Sequence, residues 1–405
     1  MPDAVIVSVA RSPIGRAKKG SLREMRPDDL VVQMVQAALD RAPGVQPSDI
    51  DDLMLGCAQP VGESGYNMAR VVAVLAGFDT VPGTTVNRYC SSSLQTSRMA
   101  FHAIRAGEGD VFISAGVETV SRFFKGGTDG LPDTENPVFA DAAERTRRFA
   151  EGGQDWVDPR EYGEIPDLYT AMGYTAENVA QVRQVSRREQ DEFAAASHNR
   201  AQDAIANGFW ALDITPVTLP DGTILDTDDG PRVGVTADSI AHLETIFRPG
   251  GTVTAGNCCP LNDGAAAVVI MSDTKAKQLG LTPLARIVST GVTGLSPEIM
   301  GLGPIEASRM ALSRAGLTID DIDLVEINEA FAAQVIPSAC ELGIDVDRLN
   351  VNGGAIAIGH PFGMTGARIT STLVNSLRFH DKQFGLETMC VGGGQGMAMI
   401  IERLS

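Results

Sequence analysis

The sequence predicts an α/β protein whose strand and helix layers are doubled by an internal duplication and interrupted by an insertion. Three observations lead there. First, Ala38–Gly56 (ALDRAPGVQPSDIDDLMLG) runs parallel to Ala311–Ile327 (ALSRAGLTIDDIDLVEI): a helix end, a Gly, an acidic turn, then an apolar strand. Second, each copy is followed by a further match. Thr84–Val117 reads as a strand end, Cys90, a helix from Ser92 to Ala106 and a strand from Asp110 to Ala115. Asn350–Gly394 likewise reads as a strand, His360, a helix through Ala367 to Leu377 and a strand from Leu386 to Val391. Cys90 and His360 thus fall in equivalent turns, each ahead of a helix. Third, Ser121–Thr252 changes character, rich in Asp, Glu, Arg, Gly and Pro, with a helix predicted over Arg187–Asn207 and few strand-like runs. The predicted division is residues 1–120 with 253–282 as one half, 121–252 as an inserted loop domain, and 283–405 as the other half.

Composition bounds the function. With 405 residues, 43% hydrophobic and 21% charged, the chain can bury a large core, which excludes disordered and collagen-like classes. No run approaches the ~18 uncharged apolar residues of a membrane span, and Met1–Pro13 lacks a basic region followed by an apolar one, so a cytoplasmic protein is expected. A formal charge of −18 argues against nucleic acid as a partner. An anionic ligand would need a local basic patch. Arg122, Lys125, Arg145, Arg147, Arg148, Arg232 and Arg248 of the insertion offer one, although each also fits an ordinary solvated surface. The six cysteines (Cys57, Cys90, Cys258, Cys259, Cys340, Cys390) are scattered without Cys-x-x-Cys, and no His-x-x-x-His pair occurs. Free thiols and no metal site are expected.

Four motifs carry chemistry. In Val86-Asn-Arg-Tyr-Cys90-Ser-Ser-Ser93 a cysteine stands where a strand turns into a helix. There the helix dipole favours thiolate over a thiol of pKa ~8.5, as a nucleophile needs; a small buried cysteine is the alternative. Asn328-Glu-Ala-Phe331 follows the apolar strand Asp323–Ile327, at the strand edge where open α/β sheets place ligands. Asn328 there could hold a water or a carbonyl oxygen, or simply cap a helix. Asn352-Gly-Gly-Ala-Ile-Ala-Ile-Gly-His360-Pro-Phe-Gly363 sets four glycines around one histidine, as where backbone must approach a ligand closely. Cys390-Val-Gly-Gly-Gly-Gln-Gly396 puts a second cysteine at a strand end leading into a Gly-rich turn with free N–H groups, without the spacing of a dinucleotide fingerprint.

Together, and in this order, these motifs resemble the thiolase family of acetyl-CoA acetyltransferases and 3-ketoacyl-CoA thiolases. The likeness runs from Ala10-Arg-Ser-Pro-Ile-Gly15 to the final Gly-rich turn. It implies a thiolase-like five-layered α/β/α duplication with an inserted loop domain, assembled as a homodimer or homotetramer. It also implies CoA and acyl-CoA thioesters as substrates, with no cofactor beyond CoA as a substrate. Cys90 matches the acylated nucleophile, Cys390 the acid/base, and His360 the residue that activates Cys90 and donates to an oxyanion. Asn328 matches the residue that holds an oxyanion-hole water, and the N–H groups of Cys90 and Gly392 match a second oxyanion hole. Arg232 and Ser239 align with positions near the CoA nucleotide.

The chain departs from the family pattern in two places. Gly256-Asn-Cys-Cys259 puts Cys259 where a serine is thought to touch the pantetheine arm. Ala171-Met172-Gly173 stands where short-chain biosynthetic members carry His-Met-Gly, so Met172 lines an acyl-proximal wall without the histidine. This resembles the degradative subgroup and implies cleavage of 3-ketoacyl-CoA by CoA in fatty-acid or related side-chain breakdown. The alternative is an acetoacetyl-CoA thiolase. Two rivals are a ketoacyl-synthase-type enzyme, which would resemble a Cys-His-His set, and a noncatalytic lipid carrier, which would lack Cys90 or His360.

Overall fold

The structure, a computed structural model, describes residues 1–125, 133–152 and 155–405. Its strands in chain order are β1 (Ala4–Arg11), β2 (Gly15–Arg16), β3 (Asp52–Gly56), β4 (Gly83–Val86), β5 (Val111–Thr119), β6 (Val217–Thr218), β7 (Ile224–Leu225), β8 (Asn262–Ser272), β9 (Ala285–Gly294), β10 (Leu324–Ile327), β11 (Phe384–Val391) and β12 (Gln395–Arg403). The central sheet runs β10-β11-β12-β9-β1-β8-β5-β3-β4, with β2 on β8. The duplication is visible in its pairing. From β1, the pairs β1–β8 and β8–β5 are antiparallel and β5–β3 and β3–β4 parallel. From β9, β9–β12 and β12–β11 are antiparallel and β11–β10 parallel, and a single parallel bridge Val325–Leu349 stands where β4 would. Within the sheet the halves are joined at Val5–Arg286 and Ile6–Ala285 of β1 and β9.

Strands β5 and β8 are buried along their whole length, as their near-continuous small and apolar runs require of strands covered on both faces. Helix Pro27–Asp40 packs on β8 and β5 from outside, and helix Gly303–Ala315 packs on β9, β12 and β11. Between the two half-sheets lie helices Ser92–Ala106 and Thr365–Phe379, giving five layers. These two central helices touch at their first turns. The Ala367 N–H donates to Ser93 Oγ at 2.8 Å, and a Cβ on Gly366 would sit 2.1 Å from the Leu94 nitrogen, so only glycine allows the approach. The contact draws together the turns that precede the helices, those of Cys90 and His360.

Residues 121–252 contribute no strand to the central sheet among the described residues; β6 and β7 form a ribbon of their own. Helix Arg187–Ala206 ends one residue short of its expected boundary and starts on a capping box made by Ser186 and Glu189. Helix Met172–Val182 packs on the 3₁₀ turn Pro297–Leu302 and on helix Ala332–Leu342, over the second half, while Val217 of β6 joins the core of the first. Strand β5 runs four residues past the expected end at Ala115, because its polar terminus is not a turn: Glu118 is buried and bonded to backbone N–H groups.

Candidate active site

Cys90 lies in the 3₁₀ turn Tyr89–Ser91 between β4 and helix Ser92–Ala106. The turn is tight. Tyr89 is held at φ +42°, the Arg88 N–H donates to Ser92 Oγ (2.9 Å), and Ser92 Oγ donates to the Tyr89 carbonyl (2.6 Å). A left-handed tyrosine is strained, and such strain persists only where its surroundings impose it. Here Arg88 reaches Gln95 (3.0 Å) and Gln395 (2.6 Å), tying the turn to the Gly-rich segment after Cys390. The N–H groups of Gly392 and of Cys90 itself are directed at the Cys90 thiol. Burial nevertheless pushes that thiol up to about 12, with the Glu118 charge adding to the effect. This corrects the expectation of a thiolate: the loss of water outweighs the fractional charge of a helix end, so Cys90 rests protonated and needs a base.

His360, in the turn ahead of helix Thr365–Phe379, is the candidate for that base. Gly359, at φ +116°, delivers it, and a Cβ there would press on Ile14 and Asn262, while Asn262 Oδ1 accepts the His360 N–H at 3.0 Å. The Thr365 hydroxyl lies 2.7 Å from the Pro361 carbonyl and 2.6 Å from His360 Nδ1. A carbonyl can only accept, so the one hydroxyl proton goes to Pro361 and Nδ1 must donate to Thr365. Nε2 is therefore the bare nitrogen. Burial, and then the Arg368 charge, lowers His360 to about 3, so the ring is neutral and ready to take a proton.

Asn328 follows β10 and donates its N–H to Thr388 on β11 (3.0 Å). Its Nδ2 stands 3.4 and 3.3 Å from the two ring nitrogens of His360. Its Oδ1 is buried without a partner. It is not a helix cap: the next helix begins at Ala332, with Phe331 in the cap position.

Cys390 is fully buried near the end of β11, its thiol pushed up by burial and then by Cys90. In the turn beyond it, Gly394 adopts φ +79°, and a Cβ there would meet the Leu295 carbonyl at 2.3 Å. Cys259 joins this group. Its N–H donates to the Ala330 carbonyl (3.0 Å), and its thiol, raised by burial, also feels Cys258, Cys90 and Cys390. Met172 opens helix Met172–Val182 with its sulfur 3.7 Å from where a Gly392 Cβ would lie.

The remaining predicted residues stand apart. Arg232 is exposed and its N–H donates to His198 Nδ1 (3.3 Å). Ser239 is engaged in a cap, its hydroxyl donating to the Thr236 carbonyl (2.7 Å) and accepting the Thr236 N–H (2.9 Å). The positive face expected of the insertion is largely neutralised. Arg122 pairs with Glu63, Arg145 with Glu164 and Glu298, and Arg147 and Arg148 with Glu144, while Arg248 lies over the Phe149 ring. The Lys125 side chain lies outside the described residues.

Sequence reasoning missed two residues of this site. Glu118 accepts from Ala58 (2.9 Å), Gln59 (3.3 Å) and Gly363 (2.9 Å), binding the His360 loop to the loop after β3; burial raises it to about 7. A lone carboxylate closing an apolar strand run was its signal. Thr365 had none, since its contact depends on how the loop after His360 folds back.

Known proteins resemble this chain over its whole length. Residues 4–274 match the family model of the thiolase N-terminal domain, and residues 281–403 that of the thiolase C-terminal domain. The chain is 44% identical to a 3-ketoacyl-CoA thiolase of Bacillus subtilis (strain 168), over 99% of this chain and 100% of that one. It is 40% identical to a beta-ketoadipyl-CoA thiolase of Acinetobacter baylyi, over the full length of both. Among solved structures, the Bacillus anthracis acetyl-CoA acetyltransferase is similar with a TM-score of 0.87 and 39% identity, covering 100% of this chain and 99% of that one.

Proposed function

The chain belongs to the thiolase family, and from that premise we propose that it is an acyl-CoA C-acyltransferase that cleaves 3-ketoacyl-CoA with CoA through an acyl-Cys90 intermediate. One observation carries the reading: a protonated thiol faced by two backbone N–H groups, in a site whose histidine is neutral with Nε2 unprotonated.

In this reading Cys90 gives its proton to His360 Nε2 as its sulfur attacks the C3 carbonyl. The oxyanion formed faces the N–H groups of Cys90 and Gly392, donors that need no reorganisation. Collapse restores the carbonyl as the acyl–Cys90 thioester and breaks the C2–C3 bond, whose electron pair leaves as the enolate of acetyl-CoA. Protonated His360, and a water held by Asn328, stabilise the enolate oxygen. Cys390 then delivers its proton to C2, releasing acetyl-CoA. In the second half the incoming CoA thiol loses its proton to the Cys390 thiolate and attacks acyl–Cys90. The thioester collapses to the shortened acyl-CoA, and Cys90 leaves as a thiolate that recovers its proton from His360.

CoA is a substrate here and no other cofactor is invoked. The inserted domain, residues 121–252, carries the nucleotide end near Arg232 and Ser239, with Cys259 and Met172 beside the pantetheine arm. Medium or long 3-ketoacyl tails suit a wall in which Ala171 replaces a polar residue and the apolar Met172 and Phe362 are at hand, at ~0.8 kcal/mol per buried methylene.

Peptide mass spectrometry after incubation with an acyl-CoA tests the intermediate. The acyl group is expected on Cys90; an adduct confined to Cys259 or Cys390 refutes the assignment. Thiolysis of acetoacetyl-CoA beside a ten-carbon homologue tests the tail. Higher kcat/KM for the longer substrate is expected, and a strong four-carbon preference returns the protein to the acetoacetyl-CoA class.

A further inference from the structure

In a chain with 51 acidic and 33 basic residues, an arginine without a carboxylate partner is worth explaining. Arg16 and Arg232 are two such arginines among the described residues, and they are neighbours. Arg16, at the end of β2, donates from Nη2 to the Gly230 carbonyl (3.3 Å), two residues before Arg232. The Arg16 Nε is buried with no partner. The nearby carboxylates are already engaged. Asp229 accepts the N–H groups of Arg16 (2.8 Å) and Ser21 (2.9 Å), while Asp228 accepts the Ile14 N–H (2.7 Å) and pairs with Arg11 (2.6 Å). His198 does not compete for an anion as a cation, because burial, then Arg232, then Arg16 push it down to about 4. Two like charges held together cost energy in the free protein, and the cost is offset when an anion binds between them.

The pair also sits beside the catalytic loop. A Cβ on Gly230 would lie 2.1 Å from the Ala357 carbonyl, three residues before His360. We propose that Arg16 is a recognition residue for a phosphate of the CoA nucleotide, closing with Arg232 on the same group. This rests on the thiolase reading above. Guanidinium groups suit phosphate through paired N–H donors, and a charge-assisted contact of this kind, partly exposed, is worth about tenfold in affinity.

The test is thiolysis with CoA, dephospho-CoA or pantetheine as the thiol acceptor, in wild type, Arg16→Gln and Arg16→Lys. Arg16→Gln is expected to raise KM for CoA about tenfold, and Arg16→Lys, which keeps the charge, by less. If the rise disappears with dephospho-CoA, the partner is the 3′-phosphate. If it persists there and disappears with pantetheine, the partner is the diphosphate. An equal rise with pantetheine, or no rise with CoA, overturns the proposal. Should Arg16→Gln fail to fold, the salt dependence of the wild-type KM decides. It must be steeper for CoA than for pantetheine, and equal slopes overturn the proposal. Absence of wild-type thiolysis would instead remove the activity on which the proposal rests.

Discussion

At the scale of single residues the site depends on proton placement. Cys90 is held as a thiol and His360 as a neutral ring, so catalysis requires that Nε2, not Nδ1, be the bare nitrogen. Thr365 sets this by accepting from Nδ1 while donating to Pro361. Thr365→Val removes the acceptor, frees the other tautomer and is expected to lower kcat by about 100-fold, the usual worth of a positioned acid or base. Thr365→Ser keeps the hydroxyl and is expected to stay within about threefold of wild type in the same assay, against that ~100-fold loss. A larger loss in Thr365→Ser than in Thr365→Val, which keeps the methyl group, would mean that the methyl group's packing matters and not the tautomer. Arg232→Ala is expected to raise KM for CoA more than it lowers kcat, the pattern of lost uniform binding. An unchanged KM places the nucleotide elsewhere.

At the scale of elements, parallel pairing of β10 with β11 sets Glu326 directly beside Glu387, both fully or nearly fully buried. The buried Arg368 of the central helix lowers both through its charge, and Glu387 Oε2 has no partner. Burial raises each carboxyl to about 8 from the ordinary 4.5. Because the folded value lies above the unfolded one, the folded state holds the extra protons. This stabilisation is complete below ~4.3 and is lost as pH rises through 8. His360 acts in the opposite sense: its folded value is depressed to about 3, so its contribution is lost as pH falls from 6.5 toward 3. Glu387→Gln keeps the shape and cannot ionise. Urea unfolding is expected to find it about 2 kcal/mol more stable than wild type at pH 9 and close to wild type at pH 5. An equal difference at both pH values would show that the pair does not titrate.

At the scale of the whole molecule the sheet stops at β4, an edge strand whose residues are only half-buried. Next to it Tyr66 is 96% exposed and, with Asn67, held in the left-handed region. An open edge beside a rigidly presented aromatic is a surface that pairing with a second chain would cover. Sedimentation equilibrium is accordingly expected to give a mass of two or four times 42.7 kDa. A monomer at micromolar concentration would contradict it. No helix among the described residues is long and apolar enough to cross a membrane.

The duplication, the α/β layering and the turns of Cys90, Asn328, His360 and Cys390 were legible in the sequence, because each is written locally: an apolar run, a glycine, then a reactive side chain. Helix Arg187–Ala206 was legible for the same reason, its capping box and periodicity lying within one segment. What failed was whatever depends on groups distant in sequence. The charge state of Cys90 was misjudged because desolvation is set by the elements packed around it. The insertion read as basic because its arginines are visible one by one, while partners such as Glu63 of Arg122 and Glu298 of Arg145 come from elsewhere in the chain. Thr365 and Arg16 carried no signal, since one acts through a folded-back loop and the other through its approach to Gly230. The sequence by itself determined which reactive groups the protein has and the turns that present them. Only the tertiary structure decided their protonation and their neighbours, because burial and Coulomb interaction depend on distance in space and not along the chain.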